Sequence, residues 1–127
     1  MSEFLRLSER RIVMPHLVLE HSSNLKPRSL MEELHKVLTS FESVDEAKVK
    51  TRSLPFESYL VGGKEDRAFL SLTIQMMEGR SEELLTLILE KLQKKLREFS
   101  DNTEFKVAVS TNLVELKKKR YRTSNPE

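Results

Sequence analysis

The sequence predicts an α+β fold, a four-stranded sheet with both helices on one face in the order β-α-β-β-α-β. Three observations carry this expectation. Ala68, Leu70, Leu72, Ile74 and Met76 alternate with less apolar residues, the period of a half-buried strand. Two other stretches repeat apolar residues at helical spacing, each opening near a serine. The two halves of the chain also follow one plan: an extended segment, a helix, then a second extended segment. Each crossover is expected to be right-handed, because a twisted strand and a helix pack back onto the same sheet only in that hand.

The first extended segment is expected over residues 11–20, with Leu17 and Leu19 on one face and His16, Val18 and Glu20 on the other. A turn-rich HSSNLKP follows. Ser29 and Glu32 have capping-box spacing, and Leu30, Met31, Leu34, Val37, Leu38 and Phe41 form a helical apolar stripe. In AKVKTRS, Val49, Thr51 and Ser53 alternate with Lys48, Lys50 and Arg52, which puts three cations on one strand face. Pro55, Gly62 and Gly63 mark a loop before the strand expected over residues 67–77. Ser81 is a natural N-cap, and Glu82 and Glu83 suit the positive end of the following helix. That helix buries Leu85, Ile88, Leu89, Leu92, Leu96 and Phe99, and Leu84 and Leu87 widen its stripe. A last strand is expected from Glu104 to about Leu116, with Phe105, Val107 and Val109 inward, before a solvated KKKRYRTSNPE.

Composition narrows the function. With 127 residues the chain is one domain in size, and 22 Lys and Arg against 20 Asp and Glu leave a net charge of only +2. Whole-chain charge therefore gives no argument for nucleic acid or an anionic membrane. The absence of cysteine excludes disulfides, thiol nucleophiles and thiolate metal sites. His16 and His21 fall on opposite faces of a strand and His35 lies on a helix, so no metal constellation is expected. No apolar run reaches the roughly 20 residues of a membrane helix, and the head of the chain lacks a signal-peptide core. A soluble, cytoplasmic protein is expected. The basic cluster Lys117, Lys118, Lys119, Arg120 and Arg122 lacks a basic face elsewhere to extend it, so it reads as solvation and not as a nucleic-acid site.

Periodicity alone does not separate a ferredoxin-like sheet from the pseudo-duplicated sheet of tautomerases; the motifs do. MPHLVLEHSSNL from Met14 to Leu25, VKTR from Val49 to Arg52, YLVGG and AFLSLTI between Tyr59 and Ile74, and GRSEE from Gly79 to Glu83 occur in one order and spacing. Together they resemble the 5-carboxymethyl-2-hydroxymuconate isomerase family of the tautomerase superfamily, over Met14 to about Tyr121. The resemblance implies a homotrimeric isomerase of aromatic catabolism, free of metal and organic cofactors, acting on a small unsaturated keto or enol carboxylic acid. It divides the chain into an extension over residues 1–14, an isomerase domain over 15–120 and a flexible tail over 121–127.

It also implies that Pro15 is the general base, once translation starts at Met14 and that methionine is removed. Inside a chain, proline nitrogen is a tertiary amide without N–H or useful basicity; at an N-terminus it is an amine titrating near ~8. Cationic neighbours and an apolar pocket lower that value toward a neutral base. Arg80 matches the arginine of the family's GRS block and stands just before a helix N-terminus, a setting for a substrate carboxylate or dienolate. Lys50 and Arg52 match the family's basic strand pair and are expected as secondary clamps. His16 follows the proline in the family pattern too. Strand alternation turns it away from Pro15, so its expected role is structural.

Two features depart from the family pattern. The residues before Met14, if retained, turn Pro15 into an amide and leave a catalytically silent trimeric binding protein as the alternative reading. Ser71 stands where family members often carry histidine, which bears on substrate identity.

Overall fold

The computed structural model describes residues 15–124 and 126. Its elements are β1 (His16–Ser22), α1 (Arg28–Thr39), β2 (Lys50–Phe56), β3 (Ala68–Met77), α2 (Glu82–Asp101) and β4 (Val107–Leu116), with short 3-10 turns at Glu46–Lys48 and Lys118–Arg120. The four strands form one sheet in the order β2-β1-β3-β4. β1 runs parallel to β2, β3 runs parallel to β4, and the two pairs meet antiparallel along β1 and β3. This is the expected α+β architecture. The extension and the part of the first predicted strand over residues 11–14 lie outside the described residues.

Alternation along the strands sorts the sheet into two unlike faces. Leu17, Leu19, Leu70, Leu72, Ile74 and Met76 point toward the helices and are fully buried. Leu30, Leu34 and Leu38 of α1 and Leu85, Ile88, Leu92 and Leu96 of α2 close over them, so the core lies between one sheet face and the two helices. The opposite face carries His16, Val18 and Glu20 on β1, Lys50, Arg52 and Leu54 on β2, Phe69, Ser71, Thr73 and Gln75 on β3, and Ser110, Asn112 and Val114 on β4. No helix covers it. Leu54, Phe56 and Val114 are exposed there.

Several boundaries differ from the sequence expectation. α1 begins at Arg28, with Pro27 as its N-cap and no side-chain cap, so Ser29 and Glu32 sit inside the helix and form no capping box. Pro27 explains the shift: its ring restricts φ, here −90°, and its carbonyl accepts from Met31 N at 2.9 Å, the first bond of the helix. Lys48 leaves the expected cationic row because Asp45 caps a 3-10 turn over Glu46–Lys48, accepting from Ala47 N at 3.1 Å. The row therefore contains only Lys50 and Arg52. Pro55 belongs to β2 instead of the loop, which an edge strand tolerates. β4 begins at Val107 and not at Glu104. Ser81 does cap α2, accepting from Leu84 N at 3.2 Å.

Candidate active site

The sheet register brings the singled-out residues to one end of the sheet. Pro15 immediately precedes β1 and is buried. Its carbonyl accepts from Lys50 N at 3.1 Å, which pins it to the first residue of β2. β3 runs the other way and pairs Gln75 with His16, so Gly79 and Arg80 leave the sheet at the Pro15 end. β4 also finishes here, with Leu116 beside Met77. Pro15, Lys50 and Arg80 thus come from three strand ends with no sequence proximity.

Side-chain direction divides the group. Pro15 falls on the helix side with Leu17, whereas Lys50 and Arg52 share the open face with His16 and Val18. The proline nitrogen is a backbone atom, however, and lies at the sheet's end between the two faces.

Arg80 is half-buried between Gly79, whose φ is +108°, and the cap residue Ser81. Only glycine adopts that backbone easily, and it makes the sharp turn from the end of β3 into α2 on which Arg80 sits. Burial lowers the Arg80 pKa, yet a guanidinium stays charged throughout the neutral range. It therefore brings a fixed positive charge to the first turn of α2, where backbone N–H groups add to it.

His16 is more connected than sequence reasoning anticipated. Its Nδ1 lies 2.9 Å from Arg52 Nη1, and its Nε2 lies 3.1 Å from the Tyr121 hydroxyl. The His16 and Tyr121 rings meet edge to face with centroids 6.3 Å apart. Burial, then Arg52, then Lys50 hold the His16 imidazole below its ordinary range. Tyr121 is the residue that the sequence did not signal, since 105 positions separate it from His16. Lys117 to Arg120 are exposed as expected, but a backbone bond from Lys118 to Glu78 Oε2 at 2.9 Å folds this segment back toward the β3–α2 loop.

Elsewhere, a cleft between α1 and β2 is lined by Met31, His35, Glu46 and Thr51 on the helix side of the sheet, and His35 meets Glu46 at 3.2 Å. Among the described residues, no group of three or more His, Asp or Glu side chains is placed to hold a metal ion, and no helix is long and apolar enough to cross a membrane.

Comparison with known proteins matches this fold. The structure superposes on a 5-carboxymethyl-2-hydroxymuconate isomerase from Deinococcus radiodurans R1 with a TM-score of 0.82 at 25% identity, covering 92% of this chain and 93% of that one. A 5-carboxymethyl-2-hydroxymuconate delta-isomerase shares the fold at a TM-score of 0.76 and 18% identity, over 89% of both chains. So does a protein solved after inactivation by 2-oxo-3-pentynoate, at 0.68 and 22%, over 86% of this chain and 91% of that one. No curated protein sequence matches significantly. The family model for 5-carboxymethyl-2-hydroxymuconate isomerase matches residues 15–126, from the proline at the head of β1 to beyond Tyr121. A match over that span, on a fold shared throughout, means that the chain belongs to the 5-carboxymethyl-2-hydroxymuconate isomerase family.

Proposed function

We propose that the protein is a tautomerase that moves a proton within a small unsaturated keto or enol carboxylic acid of the 5-carboxymethyl-2-hydroxymuconate type, using Pro15 as base. The observation that carries the reading is the family match beginning at Pro15, whose nitrogen is an amide within the chain and a basic secondary amine when that residue is the first. As a neutral secondary amine, Pro15 takes a proton from the substrate and leaves a dienolate. The resulting ammonium returns that proton at a different carbon, so the product is an isomer and no co-reactant is consumed. Arg80 holds the negative charge as it develops, and Lys50 with Arg52 fixes the substrate's carboxylate. Support for a keto-acid substrate comes from the similar fold whose protein 2-oxo-3-pentynoate inactivates. A homotrimer in the cytoplasm completes the reading, with neighbouring copies covering the open sheet face and its exposed Leu54, Phe56 and Val114.

The test compares a chain beginning at Pro15 with the full sequence beginning at Met1. Among the described residues, the four strands, the two α-helices and the buried hydrophobic core lie within residues 16–116. The shorter chain is expected to tautomerise phenylenolpyruvate, and Pro15→Ala to remove most of that activity. Arg80→Ala is expected to lower kcat/KM by about 2 to 4 kcal/mol, the scale of one preorganised charge-stabilising donor. Equal rates for the shorter chain and its Pro15→Ala variant would end the base assignment. A protein from its native host that retains residues before Pro15 would establish the silent binding protein instead.

A further inference from the structure

Hydrogen-bond direction around His16 follows from the donor inventory. Arginine only donates, so the 2.9 Å contact makes His16 Nδ1 an acceptor without a proton. The ring proton of a neutral imidazole then resides on Nε2, which donates to the Tyr121 oxygen at 3.1 Å. Tyr121 accepts that bond and keeps its own O–H to donate onward. Arg52 is exposed and uses one of its five N–H groups on His16.

We infer that His16 is a positioning residue which holds the Arg52 guanidinium and the Tyr121 hydroxyl as paired donors for an anionic oxygen of the substrate. The assignment rests on the proton-transfer reading above and deepens it by adding Tyr121 to the anion site. One cationic and one neutral donor on a shared face suit a carboxylate or enolate oxygen and disfavour a cationic ligand. The arrangement is also tied to Arg80. Glu78, two residues before it, is bonded to the end of β4 twice: its N–H donates to Leu116 O at 2.9 Å, and its Oε2 accepts from Lys118 N at 2.9 Å. That clamp sets the turn that delivers Tyr121. A protonated imidazole would present an N–H to Arg52 and break the chain of bonds, so the pair is held only by the neutral ring. Burial and the two cations Arg52 and Lys50 favour that form.

Two readouts test this. In the full chain with ¹⁵N-labelled histidine, NMR at neutral pH is expected to show His16 unprotonated at Nδ1 and protonated at Nε2; the opposite tautomer or an imidazolium would overturn the proposal. In the chain beginning at Pro15, His16→Ala and Tyr121→Phe are each expected to raise KM for phenylenolpyruvate about tenfold, the scale of one lost hydrogen bond to a charged group, with a smaller change in kcat. His16→Gln restores KM because its amide accepts and donates across the same span. A glutamine variant as impaired as alanine, with both folded by circular dichroism, would refute positioning. If the chain beginning at Pro15 shows no turnover, the base reading fails by itself. The positioning claim is then decided by calorimetric binding of phenylpyruvate, which must weaken in His16→Ala and recover in His16→Gln.

Discussion

Ser81→Ala should loosen the α2 N-terminus and, through it, Arg80. Ser81 Oγ accepts from Leu84 N at 3.2 Å, while its carbonyl accepts from Leu85 N at 3.1 Å. Alanine keeps the second bond and loses the first. Replacing a serine cap by alanine costs about 1 kcal/mol, which for a domain of this size lowers Tm by roughly 3 to 5 °C. Such a loss leaves the chain almost wholly folded at 25 °C, because domains have about 5 to 15 kcal/mol in reserve. A change in activity at that temperature therefore reports local fraying next to Arg80 and not global unfolding. If the cost is confined to the first turn, 1 kcal/mol shifts the closed-to-frayed ratio about fivefold, which sets the largest expected fall in kcat/KM. Denaturant melts and phenylenolpyruvate kinetics at 25 °C are the assays, with Ser81→Asn as the control that caps without adding charge beside Arg80. Alanine as stable and active as serine, or asparagine as impaired as alanine, would refute the reasoning.

The remaining predictions concern the same framework. Gly79→Ala meets no atom within 4 Å, but its φ of +108° is strained for any L side chain, so about 1 to 2 kcal/mol should be lost in a denaturant melt; an unchanged midpoint would contradict the backbone argument. Leu72→Ala, fully buried under the helices and opposite Leu19, should cost about 2 to 5 kcal/mol by the same assay, and a loss below 1 would show that the core collapses to fill the gap. His16 has a folded pKa below its ordinary 6.5, so the unfolded chain takes up its proton first as pH falls. Its contribution is full above that value and declines from 6.5 downward until the lowered folded pKa is passed. Denaturant midpoints should therefore drop less between pH 8 and 5 in His16→Gln than in the parent, and parallel declines would exclude the linkage.

How legible the molecule was in its sequence depended on how local the determining force is. β3 could be read almost residue for residue, because Ala68 to Met76 has one buried face and one half-exposed face and the period carries the whole signal. The same holds for α2, where cap, dipole and stripe agree. α1 was placed but started late, because the serine signal competed with Pro27, whose restricted backbone decides the first turn. Lys48 departs from strand alternation for a similar reason: the Asp45 cap diverts the chain before the strand begins. At the sheet end, the motifs pointed to Pro15, Lys50, Arg52 and Arg80 individually, and the register brings their strand ends together. The link between His16 and Tyr121 had no local signal, since a bond across the length of the domain depends on where two chain ends arrive.

The antiparallel seam between β1 and β3 has a further consequence for the chain as a polymer. Each half, β1-α1-β2 and β3-α2-β4, is a complete crossover, and the buried residues of both halves join in one hydrophobic core. The connection between them passes through an exposed turn at Gly62 and Gly63, bridged only by Val61 and Lys64. Covalent continuity there contributes proximity and no packing. Two peptides divided at that turn would retain every strand, and each would be insoluble in its own company and complementary to the other. Mixing them should reconstitute the sheet along His16–His21 and Leu70–Gln75, with the peptide link at that turn raising the effective concentration of one half for its mate.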